Sequence, residues 1–280
     1  MPRRFQAWLT CLLIIFVIGC CSSAYADELF PDKALEAAVR QHVFAKRDDN
    51  QPLTADDVKS ISTIVAKEKG IKDLKGLEAC AALALLDLEG NEISSVAPLA
   101  NLTMLQSLNL ARNRIQDAGP LAELTNLQYL HLAGNQIADI SALAKLENLT
   151  TFYLSNNQIK DIAPVAGNTK LWSLHIDGNE VKDLSPIANL TGLTTLNASG
   201  CGITDLSPLK ELNQWQFLIV RNNEITDLGP LAQMATKDAA AEKRFAPFWR
   251  IYLEGNPLSE AAKTTQAEQI KKLGGRVVLE

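Results

Sequence analysis

The sequence predicts an α/β solenoid, in which short parallel strands stack into one curved sheet with a helix near each end. Three observations carry this. A 22-residue period recurs without gaps. Each period holds an alternating apolar core that reads as a short strand. Both ends break the period and read as helices. The composition is that of an ordinary globular chain, with 47% hydrophobic and 21% charged residues among 280.

The chain opens with an address. Arg3 and Arg4 precede an apolar run from Ala7 to Ile18. That run of about a dozen residues is short for a membrane span, which needs roughly 20, and fits a secretory signal peptide over residues 1–26. Ala24-Tyr25-Ala26 supplies a small-x-small cleavage site. Val17-Ile18-Gly19-Cys20 resembles a bacterial lipobox, which makes lipidation of Cys20 the alternative. Either route places the folded part outside the cytoplasm, and a lipid on Cys20 is the one membrane attachment the sequence suggests. The net charge is −5. Removing residues 1–26 takes away Arg3 and Arg4 but no acid, leaving −7. An acidic chain without a Lys/Arg-rich block is a poor nucleic-acid binder.

Residues 27–57 read as a helical N-terminal cap. Pro31 opens a pattern through Ala34, Leu35, Ala38, Val39 and Val43, with Pro placed in the first turn. Thr54-Ala-Asp-Asp57 has the form of a second helix start.

Residues 58–258 carry the repeats. Blocks starting at 80, 102, 124, 146, 168, 190 and 212 align without gaps. One block shows Leu102, Leu105, Leu108, Leu110, Asn113, Ile115 and Asp117, and the same columns recur as Leu124, Leu127, Leu130, Leu132, Asn135, Ile137 and Asp139. The pattern L-x-x-L-x-x-L-x-L-x-x-N-x-I-x-D is a leucine-rich repeat. A degenerate copy precedes the blocks, with Ile61, Ile64 and Ile71 in register but Lys69 in place of Asn. A last copy carries Ile251, Leu253 and Asn256. Asn256 lies 33 residues after Asn223, so 11 residues are inserted near 234–244, in a stretch whose Ala, Lys and Glu content favours a short helix. Residues 259–280 read as a C-terminal cap. An amphipathic helix from Ser259 to Leu273 ends at Gly274-Gly275, and Arg276 to Leu279 can add a strand.

One repeat cannot bury its leucines alone, whereas stacked repeats bury a continuous ladder. The Asn column sits where the chain leaves each strand and is expected to satisfy buried backbone groups there. Cys201 takes that place in one copy, with weaker hydrogen bonds. The Asp column (Asp73, Asp117, Asp139, Asp161, Asp183, Asp205, Asp227) reads as turn caps rather than as a calcium ladder. Cys80 and Cys201 are five repeats apart, roughly 24 Å at ~4.8 Å per strand, so no bridge between them is expected.

The 22-residue period with N-x-I-x-D-L-x-P-L resembles the bacterial internalin-type leucine-rich repeat proteins. The segments FPDKALEAAVR, GIKDLKGLE and LEGNPLS resemble the ends of secreted members. The likeness covers about residues 31–280. It implies a horseshoe with 3₁₀ turns on the convex side and a concave parallel sheet that binds another protein. Surface internalins carry further C-terminal modules and a wall anchor. This sequence ends at residue 280 without them, so the resemblance does not by itself carry host-cell invasion over to this chain.

Strand residues that flank the buried leucines point into the concave face. Tyr129, His131, Tyr153, Trp172, His175, Phe217, Trp249, Arg250 and Tyr252 are therefore expected to form a partner-binding face. Aromatic residues and Arg are enriched at binding hot spots. A protein partner is the first expectation, and an envelope glycan or a structural role the second. His131 and His175 sit two strands apart, ~10 Å by strand spacing, too far to share a directly bound metal. No Gly-rich phosphate loop, H-E-x-x-H or G-x-S-x-G is present. A non-enzymatic protein without cofactor or metal is expected.

Overall fold

The computed structural model describes residues 28–240 and 249–280. The expected signal peptide, Cys20 and the end of the expected insertion lie outside the described residues. Ten three-residue strands form one open parallel sheet in chain order. They are β1 (Thr63–Val65), β2 (Leu85–Asp87), β3 (Ser107–Asn109), β4 (Tyr129–His131), β5 (Thr151–Tyr153), β6 (Ser173–His175), β7 (Thr195–Asn197), β8 (Phe217–Ile219), β9 (Arg250–Tyr252) and β10 (Arg276–Val278). The molecule is a leucine-rich repeat solenoid. Each strand pairs with the next at the 22-residue offset, as in Leu108↔Leu130. The offset becomes 33 between β8 and β9, as in Leu218↔Ile251, and 26 between β9 and β10, as in Ile251↔Val277.

The central residue of each strand points inward. Leu86, Leu108, Leu130, Phe152, Leu174, Leu196, Leu218 and Ile251 make one buried ladder. Burying each such side chain contributes about 1.5–3 kcal/mol before chain entropy is counted.

The Asn column closes the turn off each strand. Asn135 Nδ2 donates to the carbonyls of Leu110 (3.0 Å) and Leu132 (2.9 Å), and its Oδ1 accepts from Ile115 N–H (3.0 Å). Asn91, Asn113, Asn179 and Asn223 repeat the arrangement. One amide thus stitches two successive repeats. At Cys201 the sulfur reaches Ile176 O at 3.3 Å, and burial pushes the thiol up to about 11. Cys80 and Cys201 are both buried and unbridged.

On the convex side the chain makes 3₁₀ turns, including Ala97–Leu99, Gly119–Leu121, Ser185–Ile187 and Ser207–Leu209. The Asp column opens them. Asp117, Asp139, Asp161, Asp183 and Asp205 each accept the N–H two residues on, at 2.7–2.8 Å. Proline in the first turn fits because its fixed φ suits the turn and its missing donor has no partner there.

The N-terminal end corrects the sequence reading in detail. Helix α1 spans Lys33–Arg40, so Pro31 lies outside it and Val43 beyond its end. Asp32 is the N-cap, because its Oδ1 accepts from Ala34 N–H (2.9 Å) and Leu35 N–H (3.1 Å). The other oxygen, Oδ2, accepts from Lys72 N–H (2.7 Å) and Asp73 N–H (3.1 Å) and ties the helix to the first turn. Helix α2 (Ala55–Val58) starts at the Thr54–Asp57 capping box. Gly76 has φ +101, and a Cβ there would lie 2.2 Å from Leu29 O. Only glycine allows this approach of the cap to the repeats.

Helix α3 (Gly229–Ala240) starts before the inserted stretch and replaces the 3₁₀ turn of its repeat. At the C-terminal end, a π-helical turn (Ala262–Gln266) leads into α4 (Ala267–Lys272). Gln266 Oε1 accepts from Leu228 N–H at 2.8 Å, just before α3. No helix among the described residues is long and apolar enough to cross a membrane.

Candidate functional site

The concave face is lined by the strand residues on either side of the buried ladder. Its centre is a continuous run of rings from β4 to β6. His131 and Tyr153 have centroids 4.7 Å apart, and Tyr153 and His175 4.5 Å apart. Tyr129 stands 5.8 Å from Tyr153 and edge-on to His131 at 6.2 Å. The cause is the repeat itself. Strand pairing sets His131, Tyr153 and His175 directly opposite one another, at ring spacings that favour tilted packing. All four rings are half-buried. Two small residues of the neighbouring column, Thr151 and Ser173, are buried.

Burial disfavours the charged imidazole and lowers the pKa of both histidines. At His131 the carboxylates of Glu89 and Asp87 oppose that shift, and at His175 that of Asp177 does. Burial also raises the Tyr129 hydroxyl.

Charged groups flank the rings. Toward β1, Lys67 Nζ lies 3.0 Å from Asp87 Oδ2 and 2.9 Å from Glu89 Oε2. Glu89 and then Asp87 hold the ammonium well above the usual lysine range. Toward β9, the Arg221 guanidinium lies 4.6 Å from the Tyr252 ring, and that of Arg250 5.8 Å from Phe217. Trp172, at the start of β6, is 51% exposed.

Trp249 does not belong to this face. It is 1% exposed. Its carbonyl accepts from Arg276 N–H at 2.7 Å, and a Cβ on Gly275 would lie 2.9 Å from its Nε1. The chain folds back through α4 into β10 and covers the indole. Asp87, Glu89, Lys67 and Arg221 bound the face beside the expected residues. Their alternation with Leu86, Leu88, Ala66 and Val220 was the sequence signal. No group of His, Cys, Asp and Glu among the described residues is arranged to hold a metal ion.

Comparison with known proteins agrees with this geometry. A family model of leucine-rich repeats, two copies long, matches residues 103–145, 147–189, 169–211 and 191–233. No curated protein matches the chain significantly. Among solved structures, internalin C2 of Listeria monocytogenes is 34% identical, with a TM-score of 0.71 over 80% of this chain and 94% of that one. A second L. monocytogenes internalin is 28% identical, with a TM-score of 0.71 over 90% of this chain and 78% of that one. A leucine-rich repeat protein of Leptospira interrogans shares the fold, at 21% identity and a TM-score of 0.58 over 74% of this chain and 57% of that one. With a third of its residues shared across nearly the whole of internalin C2, the chain belongs to the internalin-like family of leucine-rich repeat proteins.

Proposed function

We propose that this protein is an extracytoplasmic, non-enzymatic binding module that holds a protein partner on its concave face. The observation that carries the reading is the unbroken run Tyr129–His131–Tyr153–His175 on an open sheet. Ring area of this kind is surplus to the core, which the leucine ladder already fills. Half-buried rings lose little side-chain entropy on binding and present large contact area. Exposed Trp172 extends the surface. Residues 1–26 direct export, by cleavage after Ala26 or by lipidation at Cys20.

The test is chemical crosslinking of the full chain in a bacterial envelope extract, with the crosslinked residues mapped by mass spectrometry. Crosslinks around β4–β6 that disappear in Tyr153→Ala support the reading. Crosslinks confined to the convex turns reject it. A glycan array run in parallel, with selective binding lost in Tyr153→Ala, would favour the carbohydrate alternative. Intact mass of the exported protein distinguishes Asp27 from lipidated Cys20 as the first residue.

A further inference from the structure

The two ends of the concave face treat charge differently. At the β1 end, carboxylates and cations neutralise one another. Lys67 pairs with Asp87 and Glu89, and Arg112 lies 3.1 Å from Glu68 and 3.8 Å from Glu89. At the β9 end, Arg221 is similarly occupied. Its Nε and Nη2 each lie 2.9 Å from an oxygen of Glu254.

Arg250 and Arg276 are different. They are direct partners in the β9–β10 register, so their Cα atoms sit about 4.8 Å apart on one face of the sheet. Phe217 is the next residue in the same row. Both arginines are exposed, and no carboxylate among the described residues pairs with either. The contact that Arg250 does make is with the Phe217 ring. Like charges directly opposite on neighbouring strands repel. The core gains nothing from them, since Ile251 and Val277 are the inward residues of these strands. A charged edge strand discourages pairing between copies, but Arg250 lies one strand in from the edge.

Two exposed arginines on neighbouring strands of one face offer forked donors that match a carboxylate. Beside them, Phe217, Ile219 and Tyr252 form an apolar step. An aliphatic residue in that step suits a peptide side chain better than a sugar ring. Resting on the concave-face reading above, we propose that Arg250 and Arg276 clamp an acidic segment of the protein partner. A carboxylate sits between the guanidiniums, and a neighbouring apolar side chain rests on Phe217.

The probe is a short Glu-rich peptide carrying one Phe, labelled and titrated with the full-chain protein by fluorescence anisotropy at low salt. Saturable binding is expected, weakened about tenfold or more in the Arg250→Gln/Arg276→Gln variant, because a charge-assisted pair is lost. Lys145→Gln, on a convex 3₁₀ turn, should leave it unchanged, and a peptide with Gln for Glu should not bind. Both arginines are exposed, so the variant should melt like the parent, which a thermal melt checks. Absence of peptide binding, equal binding by the double variant, or preference for a sulfated oligosaccharide overturns the proposal. Crosslinks that depend on Tyr153 with an indifferent arginine pair would sink this inference and leave the concave-face reading standing. Peptide binding at the arginines without any Tyr153-dependent partner would do the reverse.

Discussion

Asn135 makes three hydrogen bonds that no apolar side chain replaces. Substituting Asn135→Ala strands the buried N–H of Ile115. An unsatisfied buried donor costs about 1–3 kcal/mol, and a urea unfolding curve should show a loss of that size. Cys201 offers the opposite test. The N–H groups of Asn179 and Val181 face its sulfur, a weak acceptor. Cys201→Asn restores an amide oxygen there and should stabilise by about 1 kcal/mol. An unchanged or lower midpoint would mean the pocket has contracted around sulfur.

The histidines predict a pH dependence. Burial holds His131 and His175 below the ordinary 6.5, and burial with the Arg47 charge does the same at His42. The unfolded chain then binds more protons than the folded one in that range, so stability rises with pH. It is fully present above about 6.5 and is lost as pH falls through the lowered folded values. Thermal melts between about pH 8 and 5 should show this decline. The His131→Gln/His175→Gln variant should flatten it, leaving the part due to His42. Asp57, held at about 2 first by its hydrogen bond to Lys46, titrates far below that window.

At the scale of elements, α1 is fixed by one carboxylate. Asp32 caps the helix with Oδ1 and latches the Lys72–Asp73 backbone with Oδ2. Burial alone would raise its pKa, but four backbone donors outweigh this and hold it below the usual range. Loss of an ordinary N-cap costs about 1 kcal/mol. Asp32→Ala should cost about 2–3 kcal/mol because the latch fails as well. Asp32→Asn should recover part of it. Hydrogen exchange would place the loss, with faster exchange at Leu35 and Lys72 and little change at β5.

For the whole molecule, the ends decide solubility. A solenoid without caps exposes its ladder. Deleting 259–280 would uncover Trp249 and Ile251, both now buried. The truncated protein should bind a hydrophobic dye and aggregate on mild heating, whereas the full chain should do neither. A monomeric, dye-silent truncation would show that β9 already closes the stack.

Much of this was legible because the repeat is local. Each 22-residue unit states its own strand, Asn turn and Asp-capped 3₁₀ turn, and stacking makes neighbours of equivalent residues. Tyr153 between His131 and His175 follows from the alignment alone. The face fails to follow where the period breaks. Trp249 reads as a surface ring because its column holds exposed residues in earlier repeats, such as Trp172 and Gln216. It is buried because α4 and β10 return across it.

The residue pattern by itself determined the parallel ladder, the buried amide column and the row of rings, since all three depend on contacts one period apart. Only the tertiary structure decided which aromatic the C-terminal end hides, that Asp32 bridges cap and repeat, and that Arg276 stands opposite Arg250. Those pairings join segments outside the period. Chain closure, rather than local alternation, sets their distances.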